Sequence, residues 1–355
     1  MSSMALWDKI KKVSERATQI GAIEKIESSP LFINENGIKF MVSVAKSLLK
    51  RPFNFQKSIS TENISSLSNS NNINNSPKEI LQPPKKFIDP FLPCDKDLFV
   101  QELCGTHNLV LNKFNVSNYH SIIATKEYEK QTDPLNRYDF KAIWECIIDC
   151  NMLCFFNCGP SSGASQPHKH VQLLVTPFHT CEEKDLTCKL EQLQQQQLSD
   201  IDNDYLKCPI ESIIKLYNEP KETIFQVEQL PFKNACIYYQ TDKLKSMDKD
   251  QISIYFEHHY RSLLNHLNLN SDQDNSSSNN INNIYEDTTT DFKSYNFIMT
   301  KEWMFMIPRS CYQAKGISIN SVGFTGAILV RKEEELDTIK SYGIMNILKD
   351  VSFSK

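Results

Sequence analysis

The sequence predicts a mixed α/β fold, antiparallel sheets with packed helices, arranged as two related halves. Three observations carry this. Between residues 107 and 176, apolar runs and one helical stretch follow the order strand, strand, helix, strand, loop, strand. A similar order recurs between residues 235 and 307. The 355 residues, 40 % of them hydrophobic, suffice for one large domain or two fused smaller ones.

The elements follow in order. In residues 1–56, Leu6, Trp7, Ile10, Val13, Ala17 and Ile20 recur at helical spacing. Asp8 and Glu15 interrupt them and no h-region follows, so this is no signal peptide and the helix is expected to pack on the domain. A hairpin with Asn34-Glu35-Asn36-Gly37 at its turn comes next, and its apolar second arm ends in Lys50-Arg51-Pro52. Residues 57–80 are a Ser/Asn-rich insert with few core formers, read as disordered.

Residues 81–190 form the first half. Its strands are read at His107 to Phe114 and Tyr119 to Thr125, its helix at Tyr138 to Cys150 through Phe140, Ile143, Trp144 and Ile147. Another strand covers Met152–Asn157. A Gln-rich linker at 191–200 leads to a second half, 201–355, with its own insert at 269–290. There Ala235–Gln240, Ser294–Thr300 and Trp303–Ile307 read as strands and Asp250 to Leu267 as a helix carrying a surface pair, His258-His259. The strand Ala327–Arg331 and a final helix end the chain.

Composition excludes several classes. The net charge of -4 offers no basic footprint for nucleic acid. No apolar run reaches the roughly 20 residues that span a membrane, and the cytoplasm is the expected compartment. The 11 cysteines, an odd number, are expected as reduced thiols. Cys146, Cys150, Cys154 and Cys158 fall four apart, but a helix carries the first pair and a strand the second, so no common face and no metal site is expected.

Chemistry concentrates at Ser161-Ser162-Gly163-Ala164-Ser165-Gln166-Pro167-His168-Lys169-His170-Val171-Gln172. The following Leu173-Leu174-Val175-Thr176-Pro177 reads as a strand stopped by proline. Alternation puts His168, His170 and Gln172 on one face, a reaction surface, and Lys169, Val171, Leu173 and Val175 on the other, a core face. Gly163 and Ala164 let the backbone approach an anion, and Ser165 and Gln166 add donors. A histidine, with an ordinary pKa of about 6.5, is mostly neutral near pH 7 and can attack phosphorus. In the second half, Trp303-Met304-Phe305-Met306 takes the matching place, so only the first half keeps a nucleophile.

With Asp89-Pro90-Phe91-Leu92-Pro93, His107–Phe114, Gln131, Asn157 through Gln172, Ser294-Tyr295-Asn296, Trp303, Pro308-Arg309 and Gly326–Arg331, the chain resembles the fungal-type ATP adenylyltransferases. These are also called diadenosine tetraphosphate phosphorylases and belong to the histidine-triad superfamily. The resemblance covers nearly the whole chain apart from the inserts. It departs at Cys158, where serine is frequent, and at Arg331, where lysine is common.

The resemblance implies a histidine-triad-like fold and phosphorolysis of diadenosine tetraphosphate to ATP and ADP, and the reverse, through an adenylyl-His170. His168 would orient the loop or the His170 ring. Gln172, where hydrolytic relatives keep a third histidine, would donate to a phosphoryl oxygen while serving poorly as a base for water. Asn112, Lys113, Asn157, Gly163, Ala164, Ser165, Gln166, Ser294, Tyr295 and Asn296 would contact substrate. Lys50, Lys113 and Arg331 would clamp the charge. The implied partners are diadenosine tetraphosphate, ATP, ADP and phosphate. No cofactor held by the protein is expected, with magnesium at most accompanying the polyphosphate. The oligomeric state stays open. The alternatives weighed are a uridylyltransferase acting on sugar phosphates, against which Lys169 and Val171 stand where proline and glycine flank the middle histidine, a dinucleotide hydrolase and a nucleotide sensor.

Overall fold

The computed structural model describes residues 5–26, 30–45, 88–115, 117–178, 207–269 and 293–355. Lys50, the inserts at 57–80 and 191–200, and all of the third insert except Leu269 lie outside the described residues.

Helix α1 (Leu6–Gln19) buries Leu6, Ile10 and Ala17. Strand β1 (Glu24–Lys25) precedes the hairpin of β2 (Pro30–Glu35) and β3 (Ile38–Val44). Its turn residues Asn36 and Gly37 take φ of 50° and 79°, the two-residue turn that Asn-Gly favours. Then come β4 (Phe99–Leu103), β5 (His107–Leu111), β6 (Phe114–Asn115) and β7 (Ser121–Thr125). Helix α2 (Arg137–Asp149) starts at Asn136, whose side chain accepts from the Tyr138 and Asp139 amides, while Asp139 accepts from the Asn136 amide in return. Strands β8 (Met152–Cys158) and β9 (His170–Val175) follow.

The order β7, α2, β8, β9 recurs. After β10 (Ile224–Phe225) come β11 (Ala235–Tyr238), α3 (Lys249–His266), β12 (Tyr295–Met299) and β13 (Trp303–Pro308). The chain closes with β14 (Gln313–Ala314), β15 (Ile317–Ser318), α4 (Ser321–Phe324), β16 (Ala327–Val330), α5 (Glu333–Tyr342) and α6 (Ile344–Asp350). The final helix expected from sequence is thus two, divided at Gly343 with its φ of 91°.

Nine antiparallel strands form one sheet in the order β10-β11-β13-β12-β8-β9-β7-β5-β4. The halves meet where β8 pairs with β12, Asn157 opposite Asn296 and Cys158 opposite Tyr295. A second sheet joins β16, β3 and β2, with β16 parallel to β3.

Alternation sorts this sheet into two cores. Met152, Cys154, Phe156 and Cys158 of β8 and Val171, Leu173 and Val175 of β9 face a core shared with Phe140 and Ile143 of α2, Phe256 and Tyr260 of α3, and α1. Leu153, Phe155, Leu174, Ile298, Trp303 and Phe305 face the other way, against Phe40 and Val42 of β3, Ile328 and Val330 of β16, and α6. This corrects the picture of one core face and one reaction face on β9. Both faces are core, and the histidines lie where the second cover runs out.

Two smaller expectations also change. All four cysteines, Cys146, Cys150, Cys154 and Cys158, end in the helix-side core, because α2 lies on the face toward which Cys154 and Cys158 point. Burial raises the pKa of Cys154 beyond the ordinary range and that of Cys158 to about 12. Of the supposed surface pair, His258 is exposed, but His259 is buried with its ring 4.4 Å from that of Tyr255. Among the described residues, no helix is long and apolar enough to cross a membrane.

Candidate active site

His170 opens β9, with Ala124 of β7 opposite it, while Gln172 stands between Ile122 of β7 and Phe155 of β8. The floor of the site lies between two apolar covers. On one side Phe91, Val110 and Ala124 form a small cluster, with the Phe91 ring 5.2 Å from that of His170. On the other, Phe155 and Leu174 begin the second core.

The His170 ring is fixed in one tautomer. Its Nδ1 lies 2.8 Å from the carbonyl oxygen of His168, which can only accept, so Nδ1 carries the proton. The lone pair is therefore on Nε2. Burial, at 3 % exposure, pushes the pKa down to about 4, against a smaller upward pull from the His168 carbonyl. At neutral pH the ring is uncharged, with Nε2 able to act as a nucleophile.

His168 cannot play that part. Its Nδ1 meets Asp89 Oδ2 at 2.8 Å and its Nε2 meets Thr125 Oγ1 at 2.9 Å, so both nitrogens are engaged. It is fully buried under Phe91 and Tyr128. Gln131 clamps the neighbouring backbone. Its Oε1 accepts from the His170 amide at 2.8 Å, and its Nε2 donates to the carbonyls of Asn157 and His170 at 2.9 and 3.1 Å. Regular pairing of β8 with β9 ends at Phe155–Gln172, so this one amide bridges the strands just beyond.

Gln172 is oriented by a relay. Asn112 Nδ2 donates to His120 Nδ1 at 3.0 Å, which leaves the His120 proton on Nε2, donated to Gln172 Oε1 at 2.9 Å. With its oxygen held, Gln172 keeps its NH2 as the group free to donate. Desolvation lowers the His120 pKa to about 4, so the relay stays neutral.

The loop before β9 is shaped by two glycines, Gly159 and Gly163, with φ of 82° and 80° around a 3₁₀ turn at Pro160–Ser162. A Cβ on Gly163 would fall 2.7 Å from the Ile319 carbonyl oxygen, so no side chain fits there. The amides of Ala164, Ser165 and Gln166 make no hydrogen bond among the described residues, and Gln166 Oε1 is buried without a partner. Asn157 Oδ1 accepts from Asn296 Nδ2, the Ser321 amide and Ser321 Oγ, at 2.8 to 2.9 Å. Its own NH2 makes no hydrogen bond among the described residues.

Other expected contacts fall differently. Tyr295 is corrected: it lies one residue out of phase with Asn296, so its ring enters the helix-side core and its hydroxyl meets that of Tyr260. Asn296 is fully buried and uses both ends of its amide on protein, donating to Asn157 and the Ser162 carbonyl and accepting from Arg309. Ser294 Oγ accepts from the Ser161 amide at 3.2 Å. These two shape the loop rather than face a ligand. Lys113 is exposed after β5, and Arg331 follows β16, where Val330 pairs with Val44. Lys50 is outside the described residues. Among those residues, no group of three His, Cys, Asp or Glu side chains could hold a metal ion.

His120 and the partners of His168 escape sequence reading. The missing signal was the pairing of β7 with β9. Once Ile122 is opposite Gln172, His120 is two residues along on the same face.

Comparison with known proteins identifies the family. The Ap4A phosphorylase N-terminal domain profile matches residues 1–193, and the ATP adenylyltransferase C-terminal domain profile matches residues 228–354. Diadenosine 5',5'''-P1,P4-tetraphosphate phosphorylase 2 of Saccharomyces cerevisiae is 28 % identical over 278 residues, 72 % of each chain. Protein APA1 of the same yeast is 27 % identical over 286 residues, 75 % of this chain and 76 % of that one. The crystal structure of yeast Ap4A phosphorylase Apa2 superposes with a TM-score of 0.64 at 20 % identity, covering 100 % of this chain and 99 % of the other. Its complex with Ap4A gives 0.63 over the same shares. With the first of these profiles covering more than half of its residues, the chain belongs to the Ap4A phosphorylase family.

Proposed function

We propose that this enzyme, a nucleotidyltransferase, splits diadenosine tetraphosphate with inorganic phosphate into ATP and ADP, and runs the reverse reaction, through an adenylyl group carried on His170. One observation supports the chemistry above all. The His168 carbonyl holds the proton of His170 on Nδ1, leaving a neutral Nε2 lone pair.

In the first half-reaction Nε2 attacks the phosphorus next to one adenosine. An N–P bond forms, the P–O bond to the triphosphate breaks, and ATP leaves with the electron pair. The ring, now bonded at both nitrogens, carries a positive charge against the His168 carbonyl. In the second, a phosphate oxygen attacks the same phosphorus, the N–P bond breaks and ADP is released. Dividing one displacement into two is the general logic of covalent catalysis. The unengaged amides of the Ala164–Gln166 loop, the NH2 of Gln172 and the NH2 of Asn157 supply donors for the phosphoryl oxygens. One preorganised donor of this kind is worth about 10²–10³ in rate. Gln172 cannot abstract a proton from water, which favours transfer to phosphate over hydrolysis. A divalent cation, where one takes part, is assigned to the substrate polyphosphate, and the cytoplasm is the compartment of the reaction.

The test is to trap the intermediate. Labelled diadenosine tetraphosphate without phosphate is expected to leave acid-labile adenylate on the peptide containing His170, and added phosphate to convert it to ADP. Release of AMP at an equal rate without phosphate would overturn the reading.

A further inference from the structure

Behind the loop lies a charge that no carboxylate balances among the described residues. Arg309, just after β13, is 2 % exposed. Its Nε donates to the Val351 carbonyl at 2.9 Å, and its Nη2 to the carbonyls of Cys311 and Ile319 at 2.8 and 2.9 Å. Its Nη1 donates to Asn296 Oδ1 and, at 3.3 Å, to the Ser162 carbonyl. The ring of Phe324 covers the guanidinium at 5.1 Å. Every acceptor is neutral, and among the described residues no carboxylate forms an ion pair with it. Burying a cation without a counter-ion is costly, and proteins ordinarily avoid it.

The contacts lead to the phosphate loop. Ser162 and Ile319 are the two places where the arginine touches the segments that pinch Gly163. The Ser162 carbonyl takes Arg309 and Asn296 together. In a trans peptide the C=O and N–H are opposed, so the N–H of Gly163 points away from the guanidinium. A carbonyl that accepts from a cation polarises its own peptide and strengthens the N–H at the other end.

We infer that Arg309 is the hidden counter-charge of the substrate polyphosphate: a positioning residue that never touches substrate, but shapes the Gly159–Gly163 turn and holds a positive field behind it. The inference rests on the proposed nucleotide chemistry of this site. Burial also lowers the guanidinium pKa, as an unpaired buried cation requires, yet an arginine stays charged at neutral pH.

The experiment measures affinity by calorimetry for adenosine, AMP, ADP and ATP. Arg309→Met is expected to leave adenosine within twofold and to weaken binding progressively with phosphate number, to roughly tenfold for ATP. Arg309→Lys keeps the charge and loses the fork, so it restores the dependence on phosphate number while kcat stays depressed. Cys311 offers a second route that leaves the arginine intact. Its side chain is half-buried and its backbone carbonyl already accepts from Arg309. Cys311→Asp brings a counter-ion to an intact arginine and is expected to weaken ATP more than adenosine, whereas Cys311→Asn leaves both unchanged. Equal losses for adenosine and ATP, or wild-type ATP affinity in Cys311→Asp, would overturn the inference. A wild-type protein that fails to bind adenine nucleotides would instead overturn the proposed function.

Discussion

Strands β9 and β13 hold the same place in the two halves, each last in the order strand, helix, strand, strand, and they have opposite uses. On the face turned from the helices, β13 presents Trp303, Phe305 and Ile307, all fully buried beneath β3, β16 and α6. On that face β9 presents His170, Gln172 and Leu174, and only Leu174 lies under the same cover. One sheet therefore carries a core strand and the strand to which the proposed function assigns the catalysis. What separates them is where the second layer ends and which loop precedes the strand. Before β13 a short turn at Thr300–Glu302 suffices, whereas before β9 the chain inserts the Gly159–Pro167 loop.

The sharpest way to test that division is His170→Ala. It removes the lone pair at a site whose shape is held by Gln131, His168 and Arg309, so the fold and nucleotide binding should persist. Turnover should fall by about 10⁴-fold or more, as when other covalent nucleophiles are removed. Steady-state rates and calorimetric binding on one preparation decide it. A variant retaining more than a few per cent of the rate would erase the distinction between the strands.

The relay behind Gln172 comes next. His120→Phe keeps the ring volume but removes the donor to Gln172 Oε1, so the amide can turn and present its oxygen to a phosphoryl oxygen. A loss of about 10²-fold in adenylyl transfer is expected, the lower end of what one such donor is worth, with Gln172→Ala adding little further loss in the double variant. Fully additive losses would show that the two residues act separately.

Much of this was legible in the sequence, for identifiable reasons. Strict alternation put Val171, Leu173 and Val175 on the helix side and His170 and Gln172 opposite, because a strand covered on both faces still obeys a period of two. Asn36-Gly37 fixed its turn through local backbone preference alone. Lost to sequence reading was whatever depends on strands meeting across long separations. Asp89 reaches His168 over 79 residues, His120 reaches Gln172 over 52, and Arg309 reaches Ser162 over 147. Tyr295 is a different case: alternation along its own strand already sets it opposite Asn296, and placing both in the site overlooked that period of two.

A smaller effect is expected from acid. Desolvation holds His170, His120 and His259 at about 4. As pH falls through about 6.5 the unfolded chain takes up protons that the fold refuses until about 4, so stability is complete above 6.5 and declines across that interval. His170 itself stays neutral through most of it. Single-turnover formation of adenylyl-enzyme at pH 5.5 should therefore keep most of its rate at pH 7.5 wherever the protein remains folded. An acid limb centred near 6.5 in that step would mean that His170 is not desolvated as its geometry indicates.

The least effect on chemistry should come from Trp303→Phe, on the strand that lacks a nucleophile. The indole Nε1 donates to Glu211 Oε1 at 2.8 Å, and Glu211 is fully buried. Phenylalanine retains much of the apolar contact with the second core but leaves that carboxylate oxygen short of a donor, a deficit worth about 1–3 kcal/mol. The Lys207 ammonium, 3.9 Å from the same oxygen, is a partial substitute. Thermal unfolding should shift down by several degrees, while kcat/KM per folded molecule stays within about twofold, since Trp303 touches none of the groups that hold His170. If turnover fell in step with the loss seen on β9, the second half would be shaping the chemistry directly, and the separation of a core strand from a catalytic one would fail.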